Sequence, residues 1–147
     1  MKNNKTILLI DDEQSYLEAL ADALDYDGYR VLKARTAEEA LKILSRERID
    51  LVTIDIMLDP GDDLSREVES RETGLFLCRE IRKKYPEIDA FCISVLRDTD
   101  KIREIESLGI RFLKKGTTPL RTVLNALRSR LTGIAYSSER DRHRHKK

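Results

Sequence analysis

Short apolar runs alternate with longer amphipathic stretches along most of the chain. TILLI (Thr6 to Ile10) is uncharged and rich in branched residues, the pattern of a strand covered on both faces. Ser15 to Tyr26 follows with Leu17, Leu20, Ala21 and Leu24 at spacings of three and four, which predicts a helix with one buried face that Gly28 stops. Arg30 to Ala34 predicts a second strand, and Thr36 with Glu39 forms a T-x-x-E capping box for a helix from Ala37 to Arg46. LVTID (Leu51 to Asp55) predicts a third strand. After a polar stretch come a helix from Gly74 to Lys84, ending before Pro86, and a fourth strand, AFCISV (Ala90 to Val95). A helix from Asp98 to Leu108 ends at Gly109, Ile110 to Leu113 makes a brief fifth strand, and a last helix runs from Thr118 to Leu131. Its stripe is Leu120, Val123, Leu124, Leu127 and Leu131.

Five β-α units predict an α/β fold with a doubly wound parallel sheet, because parallel strands need right-handed helical crossovers. In such folds ligands sit outside the carboxyl ends of the strands. Composition narrows the picture. A chain of 147 residues suits one domain with a continuous core. Charged residues make up 37% of it, against about 25% in ordinary soluble domains, yet 28 basic and 27 acidic residues leave a net charge of only +1. That balance argues against bulk binding to DNA or anionic lipid. Cys78 and Cys92 fall in apolar stretches and are expected to be buried and reduced, hence a cytoplasmic compartment. The opening MKNNKTILLI lacks the apolar core of a signal peptide, and no segment approaches membrane-spanning length.

The carboxyl rim gathers the candidate chemistry. The first strand ends in Asp11 and Asp12, with Glu13 beyond; the third ends in Asp55; the fourth carries Ser94 near its end; the fifth runs into Lys114 and Lys115. Alone, a DD pair would cap a helix, Asp55 would be an ordinary strand end, and both lysines would be solvated. Together they suggest phosphoryl transfer. Clustered carboxylates repel one another and suit a hard cation such as Mg2+. Asp55 could then act as nucleophile while a lysine and the Ser94 hydroxyl meet the oxygens of the transferred group.

The DD pair, the Asp after strand three, the Ser after strand four and the F-L-x-K run after strand five resemble a response-regulator receiver domain of the CheY-like kind, from about Lys5 to Leu131. The resemblance implies a flavodoxin-like sheet of order 2-1-3-4-5 and a stand-alone receiver of two-component signalling. It makes Asp55 the phosphoacceptor, Asp12 a direct Mg2+ ligand, Asp11 a ligand acting mainly through water, and the Met57 carbonyl the remaining protein ligand. Ser94 and Lys115 would hold the phosphoryl group, and Ser94 with Phe112 would form the switch. The implied donor is a sensor histidine kinase or a histidine phosphotransfer protein, and the implied output is protein contact through the last two helices and strand five.

Four departures from the family pattern stand out. Gly116 follows Lys115 where receivers carry a cis-proline, with Pro119 three residues later; Val95 is bulkier than the usual Ala or Gly; Met57 and Leu96 are apolar where the family tunes attack by water, which predicts slow loss of phosphate. The largest departure separates Pro60 from Gly74. About ten extra residues lie between these usually close positions, and from Asp59 to Glu72 six acids face Arg66 and Arg71, leaving −4. We expect this segment, about 59–73, to be a solvated loop; the sharper reading has it screen the site. Residues 132–147 read as a basic, disordered tail with no DNA-binding domain. The competing functions are a phosphorylation-independent adaptor on the same fold, and a haloacid-dehalogenase-type phosphohydrolase, which would need an acid where Met57 stands. No nucleotide-binding glycine motif is present.

Overall fold

In the computed structural model, which describes residues 4–58, 61 and 72–133, the apolar runs become β1 (Thr6–Ile10), β2 (Arg30–Ala34), β3 (Leu51–Ile54), β4 (Asp89–Ser94) and β5 (Arg111–Lys114). Between and after them lie α1 (Gln14–Tyr26), α2 (Ala37–Arg46), α3 (Thr73–Lys84), α4 (Thr99–Ser107) and α5 (Leu120–Thr132). The strands pair in parallel in the order β2-β1-β3-β4-β5, the doubly wound, flavodoxin-like arrangement expected.

Period-two alternation divides the core. Leu8, Ile10, Val52, Ile54, Ala90 and Cys92 pack with Ala40 and Leu44 of α2, Leu75, Cys78 and Ile81 of α3 and Ile105 of α4. Ile7, Leu9, Leu51, Phe91, Ile93 and Leu113 pack on the other side with Leu17, Leu20 and Leu24 of α1 and Val123, Leu127 and Leu131 of α5. Because both faces are covered, the central strands read as unbroken apolar runs. Cys78 and Cys92 are free and buried, as expected, and among the described residues no helix is long and apolar enough to cross a membrane.

Several boundaries differ from the sequence reading by a residue or two, for physical reasons. Asp55 lies just past β3: its amide still donates to the Ile10 carbonyl, but its Oδ1 accepts from the Met57 amide at 3.0 Å and turns the chain out of the ladder. Val95 lies past β4, where Ser94 Oγ accepts from the Leu96 amide. Lys114 is the last residue of β5 and Ile110 precedes the strand. Helix α5 begins two residues later than predicted, since Pro119 disfavours a helical residue before it and instead serves as the N-cap.

Caps hold the remaining ends. Thr36 Oγ1 accepts from the Glu39 amide, while Glu39 reaches back to the Arg35 amide, one residue before the usual partner in a capping box. Asp98, read as the first residue of α4, is its cap and accepts from the amides of Asp100 and Lys101. The acidic segment falls on residues 59–60 and 62–71, outside the described residues, as do residues 134–147 of the basic tail. The flanks of the acidic segment are described. Glu72 Oε2 meets Lys101 Nζ of α4 at 2.6 Å, and the Gly74 amide donates to the Ile56 carbonyl. A Cβ on Gly74 would stand 2.1 Å from the Ile56 Cα, so only glycine allows α3 to start this close to the end of β3.

Candidate functional site

The parallel ladder sets the site before any side chain is considered. The amides of Asp11, Asp55 and Lys115 each donate to the last turn-out of a neighbouring strand, at Ala34, Ile10 and Ser94 respectively, between 2.9 and 3.1 Å. Three strand ends thereby deliver two acids and a lysine to one point, and the strand-end register does it without any loop. All three side chains are buried: Asp11 is 5% exposed, Asp55 6% and Lys115 8%.

Lys115 Nζ is the centre. It lies 2.8 Å from Asp11 Oδ2, 2.8 Å from Glu13 Oε1 and 3.3 Å from Asp55 Oδ2. Burial opposes its charge, but the carboxylates of Asp11 and Glu13 and the charge of Asp55 outweigh that and hold the ammonium above the usual lysine range. Of the two adjacent lysines, only Lys115 enters this cluster; Lys114 ends β5 half-buried. Asp11 Oδ1 accepts from the Glu13 amide at 2.9 Å. Its carboxyl is pushed up by burial, against the pull of Lys115, with the charge of Asp55 adding to the rise. The helix-cap alternative fails for this acid: Glu13 is the N-cap residue of α1 and makes no side-chain cap bond.

The negative charge exceeds the positive. Asp11, Glu13 and Asp55 are three carboxylates on one ammonium, and the Arg35 guanidinium donates to the Asp12 carbonyl at 3.4 Å. Asp11, Asp12 and Asp55 each offer an oxygen within 4.8 Å of the others, two of the acids buried and Asp12 exposed. This donor set, all hard oxygen and under-neutralised, fits Mg2+.

Ser94 is fully buried at the end of β4. Its oxygen accepts from the Leu96 amide at 3.3 Å, which leaves the hydroxyl proton available. Phe112 is half-buried and packs on the cluster containing Ile105 and Cys92. Met57, its carbonyl assigned to the metal by resemblance, and Val95 are both exposed at the rim. Gly116 has φ +91°, a left-handed conformation that glycine adopts without strain, and among the described residues no peptide bond is cis. Two residues escaped the sequence reading as members of the site. Glu13 was recognised only as a third acid at the strand end. Tyr16, whose ring lies 4.6 Å from Lys115 Nζ, was not singled out, because an aromatic at helical spacing reads as core.

The chain matches the family model described as the response regulator receiver domain over residues 7–127. A probable transcriptional regulator, ycf27, of Porphyridium aerugineum is 34% identical over 89% of this chain and 67% of its own length. The alkaline phosphatase synthesis transcriptional regulatory protein PhoP of Bacillus subtilis (strain 168) is 36% identical over 55% of this chain and 29% of its own length. Among solved structures, a CheY-like receiver domain protein of Methanospirillum hungatei JF-1 superposes with a TM-score of 0.74 at 23% identity, covering 90% of this chain and 97% of that one. At that identity the superposition speaks for the fold, and the matched model for the family. The chain therefore belongs to the response regulator receiver domain family of two-component signalling.

Proposed function

We propose that Asp55 accepts a phosphoryl group from a phosphohistidine on a sensor histidine kinase or histidine phosphotransfer protein. The observation that supports this most directly is the buried Lys115 ammonium lying 3.3 Å from Asp55 Oδ2, within an acid cluster it only partly neutralises. In the transfer an Asp55 carboxylate oxygen attacks phosphorus, the P–N bond to the imidazole breaks, and the departing nitrogen keeps the electron pair and takes a proton. Asp11, Asp12, Asp55 and the Met57 carbonyl would hold Mg2+, which supplies charge neutralisation for the phosphoryl oxygens when bound. Lys115 exchanges part of its carboxylate pairing for a phosphoryl oxygen, and the Ser94 hydroxyl donates to another. Withdrawal of Ser94 from the Leu96 amide and a turn of Phe112 would carry the change to α4, β5 and α5. The protein is then a phosphoacceptor assisting its own modification rather than an enzyme with turnover.

The relatives' names, both transcriptional regulators, make a DNA-binding protein or domain the output to test first, in place of the expectation of none. The chain spans 67% of one relative and 29% of the other, so this output is part of the proposal.

Intact mass after incubation with acetyl phosphate and Mg2+ tests the chemistry. A gain of one phosphoryl group that requires metal and disappears in Asp55→Asn is the expected result. No gain would overturn it in favour of a phosphorylation-independent adaptor, and sustained hydrolysis would indicate a phosphatase.

A further inference from the structure

Lys115 has three carboxylates within 3.3 Å, which draw its ammonium towards three acids at once, and Gly116 rather than a proline after it, so a further contact that favours one placement would help to aim it. Its main chain is held by the bond from its amide to the Ser94 carbonyl and by the turn closed by the Thr118 amide on the Lys114 carbonyl, and its ammonium by the three carboxylates. Four flexible carbons lie between the main chain and the charge. Among the described residues a side chain that is not an acid also lies against the ammonium: Tyr16, whose ring centroid is 4.6 Å from Nζ.

Tyr16 is well placed for this. It sits in the first full turn of α1, three residues after Glu13, and its ring packs with the cluster of Leu17, Leu113 and Val123. The ring is therefore fixed by the core while one face meets the lysine. Its hydroxyl is buried without a hydrogen-bond partner among the described residues. An unpaired buried hydroxyl is a cost that phenylalanine would avoid, so the favourable contribution of this side chain lies in the ring. An aromatic face attracts a cation yet offers it no hydrogen bond to compete with a carboxylate or a phosphoryl oxygen.

We propose that Tyr16 is a positioning residue for Lys115: its ring face confines the ammonium between Asp11 and Asp55 and takes over the aiming that a proline after the lysine would provide. The inference rests on the reading of Asp55 as phosphoacceptor. Tyr16 touches neither the phosphoryl group nor the metal ligands' oxygens in this role; it acts through the lysine.

The experiment is a double-mutant cycle on the full chain, measuring the rate of Asp55 phosphorylation by acetyl phosphate with Mg2+, by intact mass. Tyr16→Leu, which keeps the apolar packing and removes the ring face, should slow phosphorylation about five-fold, the size of a half-buried cation–π contact. Tyr16→Phe should stay within about two-fold of the native rate and melt at an equal or higher temperature, because the unpaired hydroxyl is gone. In a Lys115→Ala background, Tyr16→Leu should have no further effect. A five-fold loss that persists without the lysine would overturn the proposal, as would an unchanged rate in Tyr16→Leu, or a loss in Tyr16→Phe equal to that in Tyr16→Leu. Folding of each variant is read from its melting transition, so a loss caused by unfolding is recognised. Failure of the native protein to take up phosphate would instead refute the phosphoacceptor reading, leaving the two failures distinct.

Discussion

The two ends of the parallel sheet treat charge in opposite ways. At the amino end three acids each have a separate partner: Asp50 accepts from the Thr6 amide at 2.8 Å, Glu47 pairs with Arg30 at 2.8 Å, and Asp89 pairs with Arg130 at 3.0 Å. The ion pairs there are exposed, and solvent screens them. At the carboxyl end three acids share one lysine, and Asp11, Asp55 and Lys115 are buried. A cleft of about 470 Å³ opens at the amino end, lined by Lys5, Arg48, Asp50 and Asp89 among others. Unbalanced buried charge points to the other end, and it is the better guide, because folding tolerates such a cluster only at an energetic cost that function has to justify.

Removing the central cation should break the contrast most visibly. Lys115→Met leaves Asp11 and Asp55 buried without a counter-charge and should cost about 3 kcal/mol of stability, whereas Arg130→Met at the opposite end should cost less than about 1 kcal/mol. Urea unfolding at pH 7 without divalent ions measures both, and equal costs would erase the distinction. Next in size, Gly74→Ala forces a methyl against the Ile56 backbone and should lower stability by about 2 kcal/mol; a melting temperature equal to the native one would mean that α3 shifts freely.

Metal addition sharpens the comparison without mutation. Mg2+ at ten times its dissociation constant should stabilise the native protein by about 1.4 kcal/mol. Asp12→Ala should lose that gain, and Arg130→Met should keep it, as read from denaturation midpoints with and without the ion. The smallest effect concerns pH at the amino end. The Arg30 guanidinium beside Glu47 holds its carboxyl below the ordinary 4.5. A folded value below the unfolded one means that the pair's contribution is present above about pH 4.5 and is lost as pH falls through the depressed value. Native protein and Arg30→Met should therefore differ slightly at pH 7 and converge in acid; a gap that widens below pH 4 would contradict this.

The sheet was legible because its central strands are apolar on both faces, and β1 and β3 stop abruptly at a charge. Ile10 gives way to Asp11 and Ile54 to Asp55, so the same residues that end a strand announce the rim. The strand-end boundaries slipped by one residue because a carboxylate or hydroxyl that bonds the amide two residues on ends the ladder early, and that contact follows from a turn, not from periodicity. Lys115 was separable from Lys114 only through the F-L-x-K register. Glu13 and Tyr16 were harder to read: nothing in DDEQSY distinguishes a third site acid from a helix-start acid, or a ring facing a lysine from a ring facing leucines. Both depend on how α1 sits against β5, a relation between segments some hundred residues apart.

Gly74 has a consequence for the length of the chain around it. Its amide is bonded to the Ile56 carbonyl at 3.0 Å, and its bare Cα lies against that same residue, so the ends of the stretch between Ile56 and Gly74 are held together. Each doubling of such a closed excursion costs only about 0.6 kcal/mol in entropy. The segment between Leu58 and Glu72 is thus a natural graft point, where a reporter or a recognition peptide could be spliced in while the register of the sheet stays intact.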